Sequence, residues 1–265
     1  MDLICSDLHA NIHALNRLNR YIGAIKPSKI VILGDIVGYG AFPNEACDWI
    51  GDLQSSCYLT YVIHGNHDYA VRDLGYIRHF NDRAAQAAQW TIDQLTPRNK
   101  EWLATLPPQI TDESVEYVHG SPTGFDDYIL NGWDVHNAFA KMTGKICFFG
   151  HTHLPIIISA LPDASGRVTD FEVVETAASS GDMSMYGHIN KWYLLDSTKK
   201  YLINPGSVGQ PRDRNSRLSF CLFDPDAYAV KFVRLNYDWE AAKDAIYATD
   251  GGLPTSLGDR LLEGR

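Results

Sequence analysis

Apolar and polar positions in the first 153 residues follow a repeating order: a short apolar run, then a side chain that can ligate a metal. Leu3-Ile4-Cys5 leads to Asp7 and His9, and Ile30-Val31-Ile32-Leu33 leads to Gly34-Asp35. Tyr61-Val62-Ile63 leads to His64-Gly65-Asn66-His67-Asp68, and Val115-Glu116-Tyr117-Val118 leads to His119. Ile146-Cys147-Phe148-Phe149 leads to Gly150-His151-Thr152-His153. Short runs rich in β-branched and aromatic residues predict buried strands. The carboxyl ends of strands in open α/β sheets line the ligand crevice. The pattern therefore gathers Asp, Asn and His in one place, as a site for two divalent cations requires.

Helical spacing fills the gaps. Ile12, Leu15, Leu18, Ile22 and Ile25 mark one helix, and Pro43 opens a second that runs through Ile50 and Leu53. Residues 81–95 are Ala/Gln-rich and helical. Thr96-Pro97 reads as N-cap and first position of a short helix ending before Pro107-Pro108. This βαβα order predicts a mainly parallel sheet at the start. After Gln109 the pattern changes. Thr111-Asp112-Glu113 joins two strands tightly, and strands follow at 154–160, 167–175, 191–196, 201–204, 218–223 and 230–235, separated by Gly, Asp and Pro turns. They predict a second sheet that is antiparallel or mixed.

The fold class expected is mixed α/β: a four-layer α-β-β-α sandwich with two facing mixed β-sheets, in one domain over residues 1–265. Residues 161–190 read as an insertion or cap. Within them, 176–190 form either a surface loop or a cover that sets Met185 and Tyr186 against a leaving group. The Gly-rich, polar tail over 251–265 is expected to be flexible.

With 45% hydrophobic residues the chain can bury a full core, and its net charge of −9 argues against a bare nucleic-acid or membrane-surface binder. No apolar run approaches the roughly 20 residues of a membrane helix, and no leader pattern opens the chain. Five scattered cysteines without CxxC spacing suggest reduced thiols. A cytoplasmic location follows as an expectation.

The donors Asp7, His9, Asp35, Asn66, His119, His151 and His153 include no thiolate, so the set suits Mn, Fe, Co, Ni or Zn. Two divalent ions bring four positive charges. Two carboxylates and a bridging hydroxide leave the pocket net positive, ready for a phosphate oxygen. A calcium site would recruit more Asp and Glu. His67, adjacent to a ligand but free to titrate, is the candidate general acid.

Asp7-Leu8-His9, Gly34-Asp35, Gly65-Asn66-His67-Asp68, His119 and Gly150-His151-Thr152-His153 resemble, in order and spacing, the calcineurin-like metallophosphoesterases. Ser6 to Asn11 and Asn204-Pro205-Gly206-Ser207-Val208-Gly209-Gln210-Pro211-Arg212 look like the prokaryotic phosphodiesterase-like branch. The resemblance implies the same sandwich fold. It further implies that Asp7, His9 and His153 hold one metal, that Asn66, His119 and His151 hold the other, that Asp35 bridges them, and that His67 protonates the leaving group. The activity implied is hydrolysis of a small phosphate ester by in-line attack of a metal-bridging hydroxide, with manganese the favoured ion. The protein serine/threonine phosphatases of this superfamily carry Asp and Arg where this chain has Gly38 and Tyr39. That departure favours a diester over a dianionic monoester. Alternatives are a phosphomonoesterase or protein phosphatase, a nuclease acting on something other than duplex, and a non-catalytic scaffold of the same fold.

Several residues carry two readings. Tyr39 is a substrate-facing ring or a core aromatic, and Arg212 is a phosphate contact or, with Arg214, a solvated charge. Asp68 orients His67 or caps the segment that follows. His64 supports the site or merely ends a strand. His13 is a helix-face histidine, and His79, His136 and His188 read as surface.

Overall fold

In the computed structural model, which describes residues 1–176 and 191–265, alternate side chains of single strands enter different cores. The strands are β1 (Asp2–Cys5), β2 (Lys29–Ile32), β3 (Leu59–Val62), β4 (Gln109–Asp112), β5 (Val115–Val118) and β6 (Ile146–Phe148). They continue with β7 (Ile156–Ala160), β8 (Glu172–Thr176), β9 (Trp192–Leu194), β10 (Lys200–Asn204), β11 (Leu218–Asp224) and β12 (Ala229–Leu235). The helices are α1 (Ile12–Ile25), α2 (Pro43–Ser55), α3 (Asn66–Arg72), α4 (Asp82–Gln94), α5 (Pro97–Thr105), α6 (Gly132–Lys141), α7 (Trp239–Tyr247) and α8 (Ser256–Glu263).

One sheet has the order β3-β2-β1-β11-β12-β9, parallel through β3-β2-β1 and antiparallel beyond. The other has the order β4-β5-β6-β10-β7-β8, parallel across β5-β6-β10 and antiparallel at its flanks. Ile4, Val31, Ile146, Phe148, Ile203 and Cys221 meet between the sheets. Their neighbours Leu3, Cys5, Ile30, Ile32 and Phe220 face outward, onto α1 and α2. Cys147, Phe149 and Leu202 face the opposite way, onto Val135, Ala138 and Phe139 of α6. The four-layer α-β-β-α sandwich is therefore the fold. Each fully buried Leu, Ile or Phe contributes about 1.5–3 kcal/mol to holding it.

Local chemistry sets the helix starts. Asn11 accepts from the Ala14 amide at 3.1 Å, and Thr96 accepts from that of Asn99 at 3.3 Å, with Pro97 next. Pro43 opens α2 in the same way.

The structure departs from the sequence expectation in two places. β9, β11 and β12 extend the first sheet rather than the second. The reason lies in β11, which is apolar on both faces and so belongs in a sheet interior, beside β1. The tail over 251–265, expected to be flexible, contains α8. Leu253, Leu257 and Leu261 are buried there at helical spacing against Ala242, Ile246 and the ring of Tyr39. The polar residues of that tail occupy the opposite face of an amphipathic helix. The reading of 176–190 as a cover, with Met185 and Tyr186 over a leaving group, falls on 177–190, which lie outside the described residues. Among those described, no helix is long and apolar enough to cross a membrane.

Candidate metal centre

The loops after β1, β2, β5 and β6 and the start of α3 converge at one end of the two sheets. Asp7, His9, Asp35, His151 and His153 all have positive φ, between 45° and 65°. For a residue with a Cβ this backbone is strained, by about 1–3 kcal/mol. It persists because the loops are stitched together. The amides of Asp7 and His9 donate to the carbonyls of Gly34 and Asp35, Gly150 donates to His119, and Gly209 donates to Asp7. Strain concentrated on five candidate ligands is a mark of a functional constraint rather than of packing.

Potential ligand atoms of Asp7, His9, Asp35 and His153 all lie within 4.8 Å of one another, and so do those of Asp35, His119 and His151. Asp35 belongs to both groups. Its Oδ2 is 3.7 Å from His9 Nε2 and 3.4 Å from His119 Nε2, while its Oδ1 accepts the His67 amide at 2.9 Å. His153 Nε2 lies 3.3 Å from Asp7 Oδ1. Asn66 is buried beside Asp35 and His151 on the same cavity wall.

The tautomers follow from the backbone. His9, His119 and His153 each place Nδ1 against a carbonyl oxygen, of Val37 at 3.1 Å, Leu33 at 2.7 Å and Gln210 at 2.5 Å. A carbonyl only accepts, so each Nδ1 carries a proton. In the neutral ring Nε2 then presents a lone pair. His9 Nε2 and His153 Nε2 face each other at 3.2 Å. Two lone pairs at that distance, with a carboxylate on either side, repel unless a cation lies among them. Asp7 Oδ2, Asn66 Oδ1, His119 Nε2 and His151 Nε2 are buried without a hydrogen-bond partner, which costs about 1–3 kcal/mol each. This donor set fits a pair of divalent ions.

Burial holds His9 and His153 well below the usual histidine pKa and His151 down to about 3, which keeps these rings neutral. It also pushes the Asp7 carboxyl up to about 7, a loss of charge that a bound cation reverses. Burial opposes ionisation of Asp35 as well, but His119, which Asp35 in turn raises to about 9, outweighs it and holds that carboxyl well below the usual range.

His67 sits in an aromatic cage. Its ring stacks on Phe80 at 4.7 Å and meets Tyr39 edge-on at 4.4 Å and His9 at 5.2 Å. Nδ1 is buried and unpartnered. Burial, aided by Arg212 and His119 against the pull of Asp35, brings His67 down to about 4. Asp68 does not orient it. That carboxylate accepts from the amides of Gly65, Ile36 and Val37 at 2.9–3.1 Å, so it caps α3 and fastens the Asp35 loop. Gly38 makes room for the cage. At φ +85°, a Cβ there would stand 2.5 Å from His67 Nδ1. Gly38→Ala should lower kcat roughly tenfold to hundredfold by displacing the ring while metal content stays intact. Elemental analysis beside steady-state kinetics checks both halves.

Tyr39 is a core aromatic that also reaches the cavity. Its ring packs against α8, and its edge lines a cavity of about 160 Å³ together with Asp35, Asn66, His67 and Arg212. The guanidinium of Arg212 lies 5.7 Å over that ring. His64 packs between Tyr69 and Phe125, and His13 against Phe42. His79 is exposed but reaches the cavity, His136 bonds to the Gly132 and Thr169 carbonyls, and His188 lies outside the described residues.

Sequence reasoning missed Asp126 and Tyr128, in the loop that follows His119. Tyr128 sets its ring 3.8 Å from that of His151, and Asp126 Oδ1 is 3.6 Å from His151 Nε2 while accepting from the Tyr76 hydroxyl. Their one signal was position, in the loop leaving a ligand-bearing strand.

The sequence model for calcineurin-like phosphoesterase matches residues 3–189. An uncharacterized protein of Methanocaldococcus jannaschii is 36% identical over 100% of this chain and 98% of its own length. The crystal structure of a metallophosphoesterase from Sphaerobacter thermophilus is similar with a TM-score of 0.77 and 32% identity, covering 100% of this chain and 99% of its own. A hypothetical protein from Pyrococcus horikoshii shares the fold with a TM-score of 0.76 at 22% identity, covering 100% of this chain and 99% of its own.

Proposed function

The chain belongs to the calcineurin-like phosphoesterase family, and from that premise we propose that it is a divalent-metal-dependent hydrolase of phosphodiester bonds in small substrates. The observation that carries this reading is the pair of opposed lone pairs on His9 and His153, 3.2 Å apart beside Asp7 and Asp35. Asp7, His9 and His153 would hold one ion and Asn66, His119 and His151 the other, with Asp35 shared; the ions supply Lewis acidity that makes water nucleophilic and draws charge from the phosphoryl oxygens.

The protein's own groups do the rest. The Nδ1–H bonds to backbone carbonyls keep the ligand rings from turning. Phe80 and Tyr39 shield His67 from bulk water; with its pKa brought down to about 4 the free ring is neutral near pH 7, so His67 serves as proton donor to the departing oxygen once the negative charge of the bound ester favours its protonated form. Arg212 supplies a fixed positive charge to the anionic ester. Manganese is the favoured ion among Mn, Fe, Zn, Ni and Co, all of which suit N/O donors. The free cysteines, four of them buried, accord with a reducing compartment, and the cytoplasm is the location proposed.

The diester preference rests on Gly38 and Tyr39, which offer no guanidinium fork at that loop. Arg212 over the Tyr39 ring favours the second reading, a phosphomonoesterase. Purified chain with Mn²⁺ should hydrolyse bis(p-nitrophenyl) phosphate faster than p-nitrophenyl phosphate, and EDTA should abolish turnover until metal is returned. Full activity after EDTA treatment would sink the metal-dependent reading, and a faster monoester would replace the diester assignment.

A further inference from the structure

Beside the ligand cluster, Arg212 on the cavity wall and Arg260 behind it gather positive charge around a neutral atom. Arg212, between β10 and β11, and Arg260, on α8, both donate to Gln210 Oε1, at 3.1 Å from Nη2 and 3.3 Å from Nη1 respectively. Neither forms an ion pair with a carboxylate among the described residues. Asp213, adjacent in sequence to Arg212, turns away to pair with Arg234. Arg212 Nε is buried and has no partner. Burial lowers the pKa of Arg260, and the like charges of Arg212 and Arg83 lower it further.

This arrangement is held rigidly relative to the metal centre. The backbone carbonyl of Gln210 takes the Nδ1 proton of His153, and Arg212 lines the cavity that contains Asp35, Asn66 and His67. Leu257 and Leu261 bury the inner face of α8 and so fix Arg260. Gln210 Oε1 is a neutral acceptor shared by the two forks, and Arg212 Nε, buried beside it, has no partner at all. Two guanidiniums held together without an acid match an oxyanion that can accept from both.

We propose that Arg212 and Arg260 form a subsite for a second phosphoryl group, so that the substrate carries a phosphate beside the one that is cleaved. The inference rests on the phosphoesterase reading of the neighbouring centre. It names the substrate class as phosphate esters that carry a second phosphoryl group, for which ADP and AMP serve as a matched pair of probes.

Calorimetric titration of the full chain at a fixed excess of free Mn²⁺, with ADP and AMP as probes, tests it. The wild type should bind ADP about tenfold or more tightly than AMP, the size expected of one or two charge-assisted hydrogen bonds. Arg260→Ala should weaken ADP about tenfold and AMP less than threefold. Arg260→Lys, which keeps the charge but not the fork, should fall between. An unchanged ADP-to-AMP ratio in Arg260→Ala, an equal weakening of both, or a wild type without preference overturns the subsite. These results separate from the phosphoesterase reading. Turnover with an unchanged ratio removes the subsite alone. A selective loss of ADP binding in a chain without metal-dependent turnover removes the enzymatic reading and leaves the subsite standing.

Discussion

Asp35→Asn is expected to lower turnover by about 10³-fold or more, at the upper end of what removing one preorganised electrostatic group costs. Asparagine keeps the size of the side chain and one oxygen that can accept the His67 amide, now bonded to Asp35 Oδ1 at 2.9 Å. The fold should therefore survive, and circular dichroism should overlay the wild type. What disappears is the only anion common to both ligand groups. A loss at His153 or His151 touches one group, whereas a loss at Asp35 touches both, so metal content should fall for the pair together. A factor of 10³ corresponds to about 4 kcal/mol of transition-state stabilisation. Elemental analysis showing full metal occupancy with undiminished kcat would remove Asp35 from the role of a shared ligand.

Replacing His67 should cost nearly as much, but only where a proton is needed. For an ester with a strongly basic alkoxide leaving group, His67→Gln should reduce kcat by about 10²–10⁴-fold, the range for loss of a general acid. For a p-nitrophenyl ester, whose leaving group departs as a stable anion, the loss should be under about tenfold by the same principle. Metal content should not change, because the His67 ring belongs to neither ligand group. Equal losses on the two esters would mean that His67 holds the phosphoryl group instead of protonating what leaves.

Much of this was legible in the chain because strand-end chemistry is local. An apolar run such as Ile30 to Leu33 followed by Gly34-Asp35 announces both a strand and what it delivers. The helix starts at Pro43 and at Thr96-Pro97 were equally plain, since a first-turn proline and a capping threonine act within a few positions. Sheet membership was not local. Whether β11 joins one sheet or the other depends on a partner more than 200 residues away in sequence, and only its two-sided burial hints at the answer. Asp126, Tyr128 and Arg260 were invisible for a related reason. Asp126 and Tyr128 lie in a loop with no repeating signal, Arg260 lies on a helix whose apolar repeat marks only its buried face, and tertiary packing alone sets the three near the site. The tail was misread because its polar residues were counted while the spacing of Leu253, Leu257 and Leu261 was not.

The placement of β1 has a consequence for how the protein is made. Asp7 and His9 hang from a strand that is flanked on one side by β2 and on the other by β11. The Asp7 carbonyl is held by Gly209 and Ser207, and the His153 ring by Gln210. On the ribosome, the first-emerging segment must wait for residues past 200 before its coordinating groups settle, a long-range closure of the kind that folds late. An ion held there would thus be captured only after the residues around Ser207 to Gln210 have been made and have closed onto the Asp7 loop.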